Sequence, residues 1–140
     1  MLDYEEYIDF YLDQGDENAF HSLTDLDRSA FPIFAQRFRK SGDPHIRGMI
    51  IELISFFRMQ EALPVFQDAL RDPNYYVWNQ AITGVLLADS PEAERILKEE
   101  IARCEVGENT KLNRIKLEFF REALQMMYDE RKAREIFPKA

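Results

Sequence analysis

Acidic side chains recur at helical spacing near the start of the chain, where paired carboxyl groups could serve as an acid and a base. Glu5, Asp9 and Asp13 follow one another at intervals of four residues, and Glu6 falls beside them on a helix. Acid–base catalysis needs two carboxyl groups in different environments, so that their pKa values separate. On one short amphipathic helix these four carboxylates share a single solvent-facing side. We therefore interpret them as a recognition or solubility surface instead of a reaction centre.

The histidines and the cysteine do not complete a metal or nucleophile site by sequence. His21 lies four residues after Glu17, and this pair makes at most half of a zinc site. His45 is 24 residues further along the chain. Cys104 follows Arg103 at the end of a predicted helix, and no sequence signal supplies the base that a nucleophile needs. The chain also lacks a glycine-rich phosphate loop, a G-x-S-x-G motif and an H-E-x-x-H motif. We therefore predict a protein that is not an enzyme and that has no metal and no cofactor.

Charge is divided unevenly along the chain. Residues 1–27 contain nine Asp or Glu and no Lys or Arg, whereas the remainder contains 18 Lys or Arg against 17 acids. One interpretation is a solvated end of the domain, and the other is a surface that attracts a basic protein partner. Residues 111–140 contain eight bases and five acids, so their net charge is opposite in sign to that of residues 1–27. Opposite charges at the two ends favour end-to-end stacking of copies, and we therefore expect a monomer or a weak homo-oligomer. The Lys and Arg residues lie among acids and do not form a concentrated basic stripe, so nucleic-acid binding is not expected.

Composition also indicates a compartment. The single cysteine fits a reducing environment, and the acidic start does not resemble a signal peptide, so we expect a cytoplasmic protein. The longest uncharged run, residues 73–88, has 16 residues and includes Asn, Gln and Thr. It is too short and too polar for a membrane span, so no membrane partner is expected.

Two stretches of the chain repeat each other. Residues 30–34 (AFPIF) recur as residues 62–66 (ALPVF), 32 positions on, and residues 43–47 (DPHIR) fall on residues 74–78 (NYYVW) at a spacing of 31. Periods of about 20–50 residues indicate arrays of stacked structural units. Because the apolar spacing is helical throughout, the period predicts an all-α solenoid built from antiparallel helix pairs.

The elements follow from the helix start and stop signals. We predict a single domain, residues 1–140, with a cap helix at 2–14 that Gly15 ends, followed by units at about 16–40, 41–71, 72–104 and 109–138. The predicted helix starts are Asp43 with Pro44, Asp72 with Pro73, and Ser90 with Pro91. The last unit is predicted as a helix at 111–128, buried on two sides, and a short helix at 130–137.

Residues 70–81 (LRDPNYYVWNQA) resemble the HEAT repeat, and most of all the short variety of about 30 residues seen in phycobilisome-lyase-type proteins. In that family an Asp-Pro turn leads into Val-Arg and then Ala on the first helix, and Ile46 with Arg47 supplies the Val-Arg pair here. The resemblance implies that Arg47 pairs with acids of a neighbouring unit. Trp78 replaces that arginine in the next unit, so the ladder is broken there or replaced by packing. The resemblance covers residues 41–102 best, and proteins of this type hold other proteins along a curved surface.

Aromatic residues cluster at the start of one predicted helix. Tyr75, Tyr76 and Trp78 are either packed against the adjacent unit or partly exposed as binding anchors. The second helices of the pairs are expected to line a concave surface that exposes Arg37, Gln67, Asp68, Arg71, Lys98 and Glu99. The predicted partner-binding residues are Glu5, Glu6, Asp9, Asp13, Arg37, Gln67, Arg71, Tyr75, Tyr76 and Trp78.

These features predict a non-enzymatic HEAT-like interaction module that binds a basic protein partner. A finer version is an immunity or antitoxin-type inhibitor, since an acidic protein of this size can cover the basic cleft of a nuclease toxin. The alternative that the resemblance implies is a phycobilin-lyase-like or other tetrapyrrole-handling helper.

Overall fold

A computed structural model describes residues 3–138 of the chain. Within this range the structure contains eight α-helices, two 3₁₀ turns and no strand, which confirms the predicted all-α class. The helices are α1 (Tyr4–Gln14), α2 (Glu17–Thr24), α3 (Phe31–Lys40), α4 (Pro44–Ser55), α5 (Leu63–Leu70), α6 (Tyr75–Ala88), α7 (Pro91–Val106) and α8 (Lys111–Ile136). Helix α1 corresponds to the predicted cap helix 2–14, whose residue 2 lies outside the described range.

Helix ends form where the chain supplies capping groups. Gly15 follows α1 with φ of 61°, and its N–H donates to the Tyr11 carbonyl, as expected of a left-handed helix stop. Asp43 accepts a hydrogen bond from the His45 N–H at 2.9 Å, and Ser90 accepts one from the Ala93 N–H at 3.1 Å. Each of these two caps is followed by proline at the first helical position. The predicted starts of α4 and α7 are therefore confirmed.

The predicted start of α6 at Asp72 and Pro73 is wrong. Helix α6 begins at Tyr75, and the Asn74 side chain accepts hydrogen bonds from the N–H groups of Tyr76 and Val77. Asn74 stands 31 residues after the Asp43 cap, so the repeat itself, not the Asp-Pro pair, marks the cap position.

The sequence repeat at AFPIF and ALPVF is also a backbone repeat. The 3₁₀ turns Arg28–Ala30 and Gln60–Ala62 lead into α3 and α5, and proline follows at the start of each helix. Ala30 and Ala62 adopt nearly the same dihedral angles, with φ of -77° and -80° and ψ of -14° in both. Both alanines are fully buried, so a larger side chain cannot be accommodated without rearrangement at either turn.

The chain divides into two compact units, Met1–Leu87 and Ala88–Ala140. In the first unit α1 packs on α2, and both α2 and α3 pack on α4. Its largest fully buried side chains are Trp78, Phe34, Phe66, Ile8, Leu23, Ile50, Ile51, Leu53, Ile54, Leu63 and Leu70.

One partly buried ion pair joins consecutive sequence repeats in the first unit. The Arg47 guanidinium donates to both Asp72 carboxylate oxygens, at 3.0 and 3.3 Å, and to the Ser41 carbonyl at 3.2 Å. The Arg47 and Asp72 side chains are only 17% and 11% exposed. Trp78 occupies the position of Arg47 in the following repeat and is 1% exposed, so packing replaces the ion pair there.

In the second unit α7 packs on α8. Ion pairs support this contact at one end, because Arg131 of α8 pairs with Asp89 and with Glu94, and Arg134 also pairs with Asp89. Asp89 has φ of 35°, a left-handed conformation that an aspartate tolerates better than most residues.

The predicted fourth helix pair is wrong, because residues 111–136 form one helix. The segment 128–130 contains neither Gly nor Pro, so no residue there ends the helix. The ion pairs of Arg131 stabilise the helix beyond this segment. The predicted burial on two sides is also wrong, since Met126 is 52% exposed. A single stripe at helical spacing is buried instead and includes a charged residue; it consists of Lys116, Phe120, Ala123 and Met127.

Among the described helices, none combines the length and the apolar character that crossing a bilayer requires.

Candidate functional site

The predicted acidic surface of α1 exists, but one of its members has a partner in the chain. The Arg37 guanidinium of α3 donates from Nε to Asp9 Oδ1 at 2.7 Å and from a terminal nitrogen to Asp9 Oδ2 at 3.0 Å. Arg37 also lies 3.9 Å from a Glu5 carboxylate oxygen. Hydrogen bonding to Arg37 holds the pKa of Asp9 below its ordinary value. Asp9 is therefore a structural ion-pair partner, and it is not a free recognition group.

Glu6 and Asp13 remain exposed on the same helix. Neither lies within ion-pair distance of a cation in the part of the chain that the structure describes. Arg37 is the only Lys or Arg in the described chain that lies within 4.0 Å of a carboxylate belonging to residues 3–27. His21 lies 3.7 Å from Glu17. The surface thus keeps most of its negative charge.

Residues predicted for the concave surface are largely engaged with neighbours. Arg39 lies 3.4 Å from Asp68, and Lys98 lies 2.8 Å from Glu94. Gln67 is half-buried on α5, and Arg71 is exposed at the C-cap of that helix. The exposed ion pairs are worth little by themselves, because solvent screens them.

The aromatic cluster at the start of α6 separates into three different roles. Trp78 is buried in the core, and Tyr75 is 54% exposed with its ring edge-on to the Trp78 ring at 5.0 Å. Tyr76 points elsewhere, towards α4, where its hydroxyl donates to Glu52 Oε2 at 3.0 Å. Of the three, Tyr75 is the most exposed, Tyr76 is half-buried, and Trp78 is buried.

Tyr76 is held in place by α4 at three points. Its ring stacks on His45 at a centroid distance of 5.9 Å, and it packs so closely on Gly48 that a Cβ at residue 48 would lie 2.3 Å from the ring. Its hydroxyl reaches Glu52. Burial and the Glu52 carboxylate raise the pKa of Tyr76, so the phenol stays protonated and donates its hydrogen bond.

His45 also fixes the corner between α1 and α2. Its Nε2 lies 2.7 Å from the Gly15 carbonyl oxygen, which can only accept, so Nε2 carries the proton. Phe20 of α2 lies near this corner, with its ring 6.0 Å from that of the exposed Phe56.

These side chains line a surface cavity of about 380 Å³ between α2, α4 and α6. Its wall contains three carboxylates and two imidazoles but no Lys or Arg; the residues are Gly15, Asp16, Glu17, Phe20, His21, His45, Met49, Glu52 and Tyr76. Sequence reasoning missed Phe20, His45, Met49 and Glu52 as members of one site. A glycine in the middle of a helix, Gly48, was the available signal for a close approach by another element.

The described residues contain no group of three or more His, Cys, Asp and Glu side chains that could hold a metal ion. Cys104 is half-buried and lines a separate groove near the end of α7. Burial raises the pKa of the Cys104 thiol, which disfavours the reactive thiolate.

The cavity and the acidic surface of α1 are therefore the candidate site, and both belong to the first unit. No protein-family model, curated protein or solved structure matches this chain.

Proposed function

We propose that this protein is a non-enzymatic interaction module that binds a basic protein through the acidic surface of α1. The observation that carries the proposal is that exposed carboxylates of α1 have no ion-pair partner within the described part of the chain. Glu6 and Asp13 lie exposed on one helix, and Arg37 is the single Lys or Arg paired with acids of residues 3–27. Uncompensated charge of one sign attracts a partner of the opposite sign and speeds its association.

The proposed architecture is a HEAT-like α-solenoid of helix pairs behind the α1 cap. Its support is local. The two 3₁₀ turns repeat with nearly identical backbone angles, and the Arg47–Asp72 ion pair links one sequence repeat to the next. Stacked repeats of this kind contact only their neighbours and present extended surfaces to partners.

In its finer version the proposal is an immunity or antitoxin-type inhibitor. A nuclease that acts on nucleic acid carries a basic cleft, because it must hold phosphates. A small protein with a concentrated acidic surface can occupy such a cleft and exclude the substrate. Fast electrostatic capture would protect a cell from its own toxin.

Charge reversal tests the proposal directly. The double variant Glu6→Lys and Asp13→Lys removes the unpaired acids, and Glu118→Lys with Glu122→Lys makes the same change in net charge on exposed positions of α8. Immobilised wild type and both variants are exposed to host extract at low and high salt, and bound proteins are identified by mass spectrometry.

A basic protein retained by the wild type and by the α8 variant, but lost from the α1 variant and at high salt, is the expected result. Loss of that protein from the two variants to the same extent would show that net charge, not the α1 surface, causes retention. Failure of the wild type to retain any basic protein at low salt would overturn the proposal.

A further inference from the structure

The cavity between α2, α4 and α6 combines a negative wall with aromatic side chains. Three carboxylates line it without any Lys or Arg, and its volume of about 380 Å³ accommodates one long side chain. Phe20, Tyr76 and Met49 supply apolar surface. This composition distinguishes it from the second cavity of similar size in the first unit, whose wall includes Arg37 and Lys40 as well as Asp9, Asp13 and Asp43.

Glu52 is the charged group best placed to select an occupant. It is half-buried, and its side chain accepts a hydrogen bond from the Tyr76 hydroxyl at 3.0 Å. No Lys, Arg or His in the described part of the chain lies within ion-pair distance of it. A carboxylate that is partly withdrawn from water interacts more strongly with a cation than a fully exposed one does. A single tyrosine hydroxyl does not neutralise the charge.

Tyr76, one side of the aromatic wall, is held by contacts within the chain. Tyr76 is confined by the stacked His45 ring, by Gly48 and by its hydrogen bond to Glu52. The hydrogen bond from His45 to the Gly15 carbonyl holds the α1–α2 corner at the cavity edge. A wall that needs no ordering on binding lowers the entropic cost of association.

We propose that this cavity binds an arginine side chain of the basic partner, with Glu52 as the ion-pair acceptor and Phe20 and Tyr76 as the aromatic wall. A guanidinium is planar, so it can lie against an aromatic ring while it donates to a carboxylate. A lysine ammonium has no flat face and is more strongly hydrated, so it fits the same wall less well. The assignment rests on the proposed function, which supplies a basic protein as the partner. It places the anchor of that partner at α2 and α4, near Gly15 at the end of α1.

The test uses the full chain and a minimal probe. Backbone amide spectra are recorded by NMR during titration with N-acetyl-arginine methylamide, its lysine counterpart and its neutral citrulline counterpart. We expect the arginine probe to shift the amides of Phe20, His45, Glu52 and Tyr76, and the citrulline probe to leave them unchanged. An equal response to the lysine probe would overturn the assignment to arginine, because charge alone would then explain binding.

The variant Glu52→Gln keeps an oxygen that can accept from the Tyr76 hydroxyl and removes only the charge. It should weaken arginine binding at least about tenfold, as expected for a lost charge-assisted contact. Glu118→Gln on α8 is the matched control and should bind as the wild type does. Unchanged binding by Glu52→Gln would overturn the assignment.

The outcome separates the two proposals. A basic protein that still depends on Glu6 and Asp13, together with cavity amides that ignore the arginine probe, overturns the arginine cavity and leaves the proposed function standing. Cavity amides that respond to arginine while no basic protein is retained support the cavity and reject the partner class proposed for the α1 surface.

Discussion

Arg37 reaches across 28 residues of sequence to hold both carboxylate oxygens of Asp9, at 2.7 and 3.0 Å. This contact ties α3 to the N-terminal helix. It also divides the acids of α1 into two groups, because Asp9 is paired within the chain while Glu6 and Asp13 face solvent. Mutation can therefore separate the stabilising part of this acidic surface from the part that we propose to bind a partner.

The Asp9–Arg37 pair should make stability depend on acidic pH. Because the pKa of Asp9 is lowered in the folded state, its contribution is present above the unfolded pKa, about 3.9, and is lost as the pH falls through the lower folded pKa. The variant Asp9→Asn should lose about 0.5–1 kcal/mol at pH 7, the upper range for a half-exposed bidentate pair. Urea unfolding followed by Trp78 fluorescence measures this.

The same comparison at decreasing pH should show the difference between wild type and Asp9→Asn shrinking below about pH 3.9, as Asp9 becomes progressively protonated on the way to its lower folded-state pKa. Asp13→Asn is the control, since Asp13 has no ion pair in the described chain. A loss of similar size in Asp13→Asn would contradict the assigned role of the pair.

The Arg47–Asp72 pair should matter more than any exposed ion pair of this chain. Removing Arg47 leaves Asp72, which is 11% exposed, without its counter-charge. We expect Arg47→Met to lower the free energy of unfolding by about 2–4 kcal/mol, somewhat less than for a fully buried pair. Arg39→Met provides the comparison, because Arg39 and Asp68 are both more than half exposed, and it should cost at most about 1 kcal/mol. Equal losses in the two variants, measured by urea unfolding, would refute this ranking.

Gly48 should be intolerant of alanine although it lies within a helix. Alanine normally favours a helix over glycine by about 1 kcal/mol, but a Cβ here would lie 2.3 Å from the Tyr76 ring. The clash should dominate, and Gly48→Ala should lose about 1–3 kcal/mol. Gly42→Ala is the control, because nothing lies within 4 Å of its Cβ position, and it should be neutral or slightly stabilising. Thermal unfolding of both variants decides the sign.

Cys104 should react slowly with thiol reagents in the folded protein. Burial raises its pKa, so less thiolate is present at pH 8 than in the unfolded chain. The rate of iodoacetamide modification should therefore rise when the protein is unfolded in urea. A folded-state rate equal to or above the unfolded rate would show an activated cysteine and would contradict this prediction.

Local signals in the sequence were enough to predict the starts of α4 and α7. The Asp43 and Ser90 caps lie next to the helices that they start, so their role depends on neighbouring residues alone. The end of α8 was mispredicted although its signal was local. Residues 128–130 contain neither Gly nor Pro, and a continuous helix is the expected result of that absence.

The candidate site was less predictable, because it depends on packing between distant segments. Tyr75 and Tyr76 are adjacent and chemically identical, yet one is exposed and the other contacts Glu52, 24 residues away. Only the register of α6 against α4 decides which tyrosine faces the cavity. Likewise, Asp9 has the same helical phase as the other acids of α1, and its pairing with Arg37 follows from the position of α3.

The ion pair between Arg47 and Asp72 has a consequence for how the first unit opens. If the segment around Arg47 or Asp72 detached alone, the charged side chain that stayed behind would be poorly hydrated and would lack its ion-pair partner. Partial fraying between these two repeats is therefore penalised, and we expect α4 and the start of α6 to open as one cooperative unit. Their slowest-exchanging amides should accordingly share a single opening free energy in native-state hydrogen exchange.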